Sequence, residues 1–138
     1  MQLVFKPFNF DAHAHALYEL LLARKHLISH TNTVTLDEHL AFCTQHPYRE
    51  WLVVFDNDEL IGSVYLSHTN HIGINLNADT ECHYNAVIDY ILANFKPSPA
   101  QASVVPAEFV INVPPTNKAL ENTLISRTAH LIQKTYKL

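Results

Sequence analysis

Three apolar segments in the middle of the chain constrain the fold more than any other feature. They are Trp51–Phe55, Leu60–Leu66 and Ile72–Leu76, and the polar clusters DNDE and SHTNH separate them. Because such clusters favour turns, the pattern predicts two consecutive β-hairpins, which form an antiparallel meander. Both glycines of the chain, Gly62 and Gly73, fall inside predicted strands. A glycine within a strand usually marks a β-bulge or a place where another backbone or a ligand comes close.

Size, charge and composition exclude several classes of protein. A chain of 138 residues with 48% apolar residues is expected to form one domain, residues 1–138. The net charge of −4 and the lack of any Lys or Arg block give no surface for nucleic acid or for an acidic membrane. The chain shows neither a secretion signal nor an apolar run that could span a bilayer, so a cytoplasmic location is expected. Two glycines leave no GxGxxG and no Walker loop, which argues against nucleotide-binding folds.

Helices are predicted on the N-terminal side of the meander. A short strand at Leu3–Phe5 precedes apolar residues at helical spacing from Asp11 to about Arg24. Thr35 and Glu38 have the spacing of a capping box, which starts a second helix.

After the meander, a polar segment leads into a helix whose apolar face carries Ile88, Ile91, Leu92 and Phe95. Strands are predicted at Phe109–Val113 and His130–Leu138, with a short helix at Asn117–Leu124 between them. The predicted order is β-α-α-β-β-β-α-β-α-β. This order indicates an α+β fold with a mixed, mostly antiparallel sheet.

This order of elements, with these residues, resembles the GNAT acetyltransferase superfamily, and most closely its branch that acetylates amino-sugars and protein N-termini. The residues that carry the resemblance are Arg24, Ile28–His39, Gly62, Ile72-Gly73 and Pro114–Leu120. As a pattern, the resemblance covers nearly the whole chain.

The resemblance implies a binding slot for acetyl-CoA, between the third meander strand and the strand at residues 109–113. The backbone of Ile74 and Leu76 would bond the amide arm of acetyl-CoA like an added strand. Its diphosphate would lie at the N-terminus of the crossover helix, where free N–H groups favour anions. His71 and Asn75 lie on the strand face opposite to that of Ile72, Ile74 and Leu76. They are candidates to bind the amine substrate or to relay a proton. The alternative is that they form a solvated strand face.

The segment expected to hold the diphosphate departs from the family pattern Arg/Gln-x-x-Gly-x-Gly/Ala. Residues 78–86 contain no glycine and no arginine, and only Ala86 matches a small-residue position. Asp79 and Glu81 would repel a diphosphate. His83 would offset these charges when protonated, or is an ordinary loop histidine. Asn117 either bonds the lower arm of the cofactor or caps its helix.

Two further departures concern the C-terminal part of the chain. The tyrosine that the family places in the last helix as an acid is absent from Leu124–Ser126. Only one strand is predicted where the family has two, so an unpaired sheet edge would be open to a partner chain in a homodimer.

The ten histidines raise the question of a metal site. His26 and His30 have i, i+4 spacing but no acidic or cysteine partner nearby, and His68, His71 and His83 could converge in space with Cys82. Neither set has the tight spacing of a metal motif, so no metal is predicted.

The remaining candidates have structural explanations. Cys43 and Cys82 are expected to be free thiols, the first in the core and the second in a loop, where it could be reactive. His39 is expected to be half-buried and bonded to a loop carbonyl rather than to a substrate. Trp51 is expected in the core.

Two functions are compatible with these features. The first is an acyl-CoA-dependent N-acetyltransferase that acts on a small-molecule amine. The second is a GNAT-shaped protein without catalysis that serves as a binding or dimeric interaction module, since the acidic loop and the missing tyrosine weaken the first.

Overall fold

The computed structural model describes residues 1–23, 34–102 and 105–138, and within these ranges it has four strands and four helices. In chain order they are β1 Leu3–Pro7, α1 Phe10–Leu22, α2 Leu36–Thr44, β2 Glu50–Asp56, β3 Glu59–Leu66, β4 Ile72–Leu76, α3 Glu81–Asn94 and α4 Lys118–Ser126. The predictions for Arg24, His26, His30 and the first part of Ile28–His39 fall outside the described residues.

The four strands form one antiparallel sheet in the order β1-β2-β3-β4, so the predicted meander is confirmed. The turn between β2 and β3 places Asn57 and Asp58 at φ values of 50° and 69°. Two consecutive positive φ angles are the mark of a type I′ hairpin turn, which Asn and Asp tolerate better than most residues. The polar cluster DNDE therefore sets the register of this hairpin.

Both glycines lie where another group comes too close for a side chain; at Gly62 this group is another backbone, as the sequence predicts, and at Gly73 it is a side chain. At Gly62, the register shifts between Val54 and Phe55, which marks a β-bulge, and a Cβ atom would collide with the Asn75 carbonyl oxygen. At Gly73, a Cβ atom would collide with the ring of Tyr65. The close packing of β3 against β4 at Gly62, and of the Tyr65 ring against β4 at Gly73, therefore requires glycine at both positions.

Helices cover both faces of the sheet. On the face that we call the α3 face, Leu52 and Val54 of β2 pack with residues of α3 and α4. On the opposite face, the α1 face, Trp51 and Val53 pack with α1 and α2. Since successive side chains of a strand point to opposite faces, β2 is buried on both sides and reads as a continuous apolar run. The expectation that Trp51 belongs to the core is confirmed.

The two N-terminal helices are joined by a buried histidine. The capping box of α2 forms as predicted, with Thr35 and Glu38 bonding each other's backbone N–H groups. His39 Nε2 lies 2.8 Å from the Ala14 carbonyl oxygen, so His39 is a buried core residue, although the carbonyl belongs to α1 rather than to a loop. Cys43 is also buried, as predicted, and burial raises the pKa of its thiol.

Two predicted strands and one predicted loop position are wrong. Residues 109–113 make a single parallel bridge, His71 with Val110, because the chain leaves the sheet before the Pro114-Pro115 pair. Residues 130–138 form no strand and are exposed along their whole length, and no strand within the described ranges pairs with them. Cys82 is exposed but lies in the first turn of α3, since Thr80 starts that helix earlier than predicted.

Candidate functional site

The outer edge of β4 carries unpaired backbone groups. Toward β3, the His71 carbonyl accepts from Ser67 N–H at 2.9 Å, and Asn77 N–H donates to the Ile61 carbonyl at 2.8 Å. Odd-numbered residues of β4 therefore bond β3. Because peptide groups alternate along a strand, Ile72, Ile74 and Leu76 direct theirs toward residues 109–113.

Pairing between β4 and residues 109–113 stops almost as soon as it begins. Ile72 N–H donates to the Val110 carbonyl at 2.8 Å, and Val110 N–H donates to the Asn70 carbonyl at 2.9 Å. Beyond this point, no backbone hydrogen bond joins Ile74 or Leu76 to the 109–113 segment in the part of the chain that the structure describes. Backbone pairing between the two segments thus ends at the bridge between His71 and Val110, and we call the region between them beyond this bridge the slot.

Asn70 holds the closed end of the slot. It is fully buried with φ of 66°, and its Nδ2 donates to the carbonyls of Ser98 and Pro106 at 3.0 and 2.9 Å. Its Oδ1 accepts from Ser98 N–H at 2.7 Å. One side chain thus fastens the β3–β4 turn to the loop that leads into Val110. Sequence reasoning missed this residue, and its only signal was an asparagine in the turn cluster SHTNH, where such a residue tolerates a positive φ.

The predicted pair His71 and Asn75 lies on the α1 face of β4, half-buried, with the ring of Tyr65 over Gly73 between them. His71 Nδ1 lies 3.1 Å from Thr69 Oγ1, and its backbone N–H donates to Ser67 Oγ at 3.0 Å. Four residues along a strand separate the two positions by about 13 Å, so they cannot act on the same atom. Only His71 lies next to the closed end of the slot.

At the open end of the slot, the chain's own groups satisfy the N-terminus of α3. Thr80 is the N-cap, and its Oγ1 accepts from His83 N–H at 3.2 Å. The His83 ring places Nδ1 2.6 Å from Thr80 Oγ1 and Nε2 3.2 Å from Asp56 Oδ2. His83 is therefore paired with Asp56, a residue far away in sequence, and not with Asp79 or Glu81. Asp56 adds a third carboxylate to this end of the helix.

A second set of bonds closes the same region from the side of α4. The Tyr84 hydroxyl donates to Asp79 Oδ1 at 2.9 Å and accepts from Asn117 Nδ2 at 3.0 Å. Burial, together with the Asp79 carboxylate, raises the pKa of Tyr84 to about 12. Asn117 is buried and caps α4 by accepting from Leu120 N–H at 3.1 Å, so it does cap its helix.

These contacts test whether acetyl-CoA fits the slot. The outward N–H and C=O groups of Ile74 and Leu76 fit an amide arm. The helix end does not fit a diphosphate, because Thr80 caps it and the carboxylates of Asp56, Asp79 and Glu81 give it negative charge. Ala86 lies in the second turn of α3, beyond the N–H groups that helix ends leave free.

Among the described residues, no group of three or more His, Cys, Asp or Glu side chains comes together in a way that could hold a metal ion. No helix within the described ranges has the length and apolar character to cross a membrane.

No protein-family model matches the sequence, and no curated protein matches it in a sequence search. Solved structures do match. A ribosomal-protein-alanine N-acetyltransferase from Brucella melitensis biovar Abortus 2308 is 13% identical, with a TM-score of 0.64 over 100% of this chain and 99% of the other. A possible acetyltransferase from Clostridium difficile 630 is 12% identical, with a TM-score of 0.58 over 100% and 97%.

An integron cassette protein from the mobile metagenome of V. cholerae is also similar, at 9% identity and a TM-score of 0.64 over 100% of this chain and 93% of the other. The acetyltransferases among these structures are of the GNAT type, and the chain has the α+β GNAT fold that the sequence resemblance predicts. At identities this low, the similarity shows the fold and does not establish the activity.

Proposed function

We propose that this protein is a GNAT-type N-acyltransferase that binds the amide arm of an acyl thioester in the slot and acylates a small-molecule amine. The observation that carries the proposal is the open outer edge of β4 beyond the bridge between His71 and Val110. Such an edge binds an extended amide chain in the way that a sheet accepts another strand.

The residues of the slot would divide the work between binding and proton transfer. Acyl-CoA, when bound, supplies an acyl group activated as a thioester. The backbone of Ile74 and Leu76 would orient the arm. His71 at the closed end would take a proton from the attacking amine, and this proton would pass to the thiolate that leaves when the C–S bond of the thioester breaks. In the tautomer whose Nδ1–H donates to Thr69 Oγ1, the Nε2 of His71 carries the lone pair that accepts this proton.

We propose that the arm, and not the diphosphate, accounts for most of the binding. Three carboxylates lie at or next to the first turn of α3, and Thr80 caps it. A diphosphate there would meet like charges without the close backbone wrap that glycines permit. His83 and Asn117, the predicted cofactor contacts, would act as supports of this end of the slot.

The test compares two donors by thermal shift and calorimetry, namely acetyl-CoA and acetyl-pantetheine, which lacks the diphosphate and adenosine. A ligand that binds only the native state raises the melting temperature. We expect dissociation constants for the two donors that agree within about threefold. Glu81→Gln, at an exposed position, is expected to strengthen binding of acetyl-CoA while leaving acetyl-pantetheine unchanged.

A matched pair of variants tests the slot itself. Leu76→Pro removes one outward N–H at the end of β4, whereas Leu76→Ala shortens the side chain and keeps the N–H. One lost hydrogen bond of about 1 kcal/mol corresponds to roughly fivefold weaker binding of both donors to the proline variant. Equal affinities for the two variants would remove the slot from the proposal.

The second candidate is a GNAT-shaped binding module without catalysis. The bonds of Asp79, Tyr84 and Asn117 with one another favour it, because they satisfy the helix ends without any ligand. If neither donor shifts the melting temperature at millimolar concentration, this candidate replaces the enzyme. A cytoplasmic location and a homodimer are part of both proposals.

A further inference from the structure

The last ten residues, 129–138, form an exposed segment that we call the C-terminal tail. Its large apolar side chains are Leu131, Ile132, Tyr136 and Leu138, and each is at least 71% exposed. Four large apolar side chains in so short a stretch form a continuous apolar surface, which soluble proteins rarely leave uncovered unless a partner binds it.

The direction in which the tail leaves the protein is fixed. The end of α4 is a Schellman motif, in which Ala129 N–H donates to the Leu124 carbonyl and Thr128 N–H to the Ile125 carbonyl. Arg127, the C-cap, donates to Asn85 Oδ1 at 2.9 Å and pairs with Asp89 at 2.8 Å. The base of the tail is thus tied to α3, while the tail itself is exposed and forms no secondary structure.

The tail has the pattern of a half-buried strand. Three of the four large apolar side chains, Ile132, Tyr136 and Leu138, share one face with Lys134, while the other face carries Leu131, Gln133, Thr135 and Lys137. An isolated strand of this kind is not stable in water, so it needs an edge to pair with.

A receiving edge exists at residues 109–113. This extended segment bridges to β4 through Val110 on one side only. Its apolar residues Phe109, Ile111 and Val113 are partly buried against the core of the α3 face. Among the described residues, no backbone hydrogen bond reaches the other side of this segment. A strand added there would continue the sheet and extend its apolar face.

We propose that the C-terminal tail of one protomer pairs as a strand with residues 109–113 of a second copy, so that two copies exchange their tails. Charge favours a second copy as the occupant. The tail carries Lys134 and Lys137 and no acidic residue, so of the chain's net charge of −4 the other residues account for −6. Tail and receiving edge together contribute about 15 residues per protomer, approaching the 20–30 of a standard interface.

The exchange would also affect the slot, since residues 109–113 form one of its walls. A strand on the outer side of this wall would limit its movement relative to β4. The proposal goes beyond acyl transfer and does not depend on it, because it rests on the exposed tail and the free edge.

Sedimentation equilibrium on the full chain tests the proposal with two double variants of equal charge. Ile132→Asp with Tyr136→Asp alters the apolar face of the tail, and Gln133→Asp with Thr135→Asp alters the other face. We expect the wild type to be a dimer, with a dissociation constant at least 100-fold higher for the first variant and within fivefold of wild type for the second. All four positions are exposed in the protomer, so circular dichroism is expected to show unchanged folding.

Cross-linking identifies where the tail binds. In a Cys82→Ser background, Asn112→Cys and Thr135→Cys are made in separate chains, one carrying an affinity tag, and mixed with a short bismaleimide. The proposal predicts a cross-linked pair of one tagged and one untagged chain. A monomer at every concentration, a dimer equally stable in both double variants, or no cross-link between the tagged and the untagged chain would overturn it.

Discussion

Replacing Asn70 tests how the closed end of the slot is built. This buried residue makes three side-chain hydrogen bonds, two donated to the Ser98 and Pro106 carbonyls and one accepted from Ser98 N–H. It also has φ of 66°, which costs most residues about 1 kcal/mol more than asparagine or glycine. Two variants separate these contributions. Asn70→Gly keeps the backbone conformation and loses the hydrogen bonds, whereas Asn70→Ala loses both.

The expected loss of stability follows from these bonds. Each neutral hydrogen bond contributes about 1 kcal/mol net, and the loop groups left behind are only partly buried. Asn70→Gly is therefore expected to lower the free energy of unfolding by about 2–4 kcal/mol, and Asn70→Ala by about 1 kcal/mol more. For a chain of this length, 3 kcal/mol corresponds to a melting temperature lower by about 10 °C.

Asn70→Asp is the sharpest variant of the series. It keeps an acceptor for Ser98 N–H, but it turns a carboxylate oxygen toward two carbonyl oxygens inside the protein. Because a buried unpaired charge costs more than a lost neutral hydrogen bond, we expect this variant to be less stable than Asn70→Gly at pH 7. Its stability should recover as the pH is lowered and the carboxyl group is protonated.

The assays are urea denaturation, for global stability, and amide hydrogen exchange at Val110 and Ile72, for the closed end itself. Exchange at these two amides should accelerate in every variant, since Val110 N–H bonds the backbone carbonyl of Asn70. Two results would show that the Asn70 side chain does not hold the slot closed at this end. One is an Asn70→Gly variant that unfolds at the same urea concentration as the wild type, and the other is an Asn70→Asp variant as stable at pH 7 as Asn70→Gly.

Two further predictions concern close packing and pH. In Gly73→Ala, the new methyl group collides with the Tyr65 ring, so we expect a loss of about 1–3 kcal/mol by urea denaturation, most of which Tyr65→Ala relieves in the double variant; strictly additive losses would contradict this. Burial, followed by the charge of Lys6, lowers the pKa of His13 below its usual 6.5, and the neutral ring accepts Asn9 N–H at 2.9 Å. Because the unfolded state then binds more protons, the stability that His13 contributes is present above pH 6.5 and is lost as the pH falls. The difference between wild type and His13→Ala should therefore shrink from pH 7.5 to pH 5, and a constant difference would refute the assignment.

The parts of the fold that could be predicted are those set by local pattern. Periodicity placed the meander, the helices and the buried side of Cys43, and the capping box at Thr35 marked the start of α2. The glycine argument was confirmed at Gly62, which lies at a β-bulge against the backbone of Asn75, whereas the contact of Gly73 with the Tyr65 side chain was not predicted.

The failures share one cause, which is that pairing and bonding across long separations leave no local signal. Phe109–Val113 has the alternation of a strand but finds only one bridge, and the C-terminal tail has it but finds no edge in its own chain. Asp56 could not be connected with His83 from the sequence, since 27 residues separate them. The bond between Asp79 and the Tyr84 hydroxyl likewise had no signal in the sequence, where Asp79 was expected only to repel a diphosphate.

The two ends of the slot depend on different residues, and this difference explains how the fold can persist although residues 78–86 contain no glycine. The closed end rests on Asn70 and Val110, and the close contact at Gly62 rests on β3 and β4 alone. At the open end, Thr80 and Tyr84 satisfy the polar groups that a ligand would otherwise satisfy. Since neither end requires a bound anion to be stable, the slot is expected to keep its shape when the donor leaves. Binding of an acyl donor would then depend on the outer edge of β4. There the backbone N–H groups of Ile74 and Leu76 are retained by every substitution except proline.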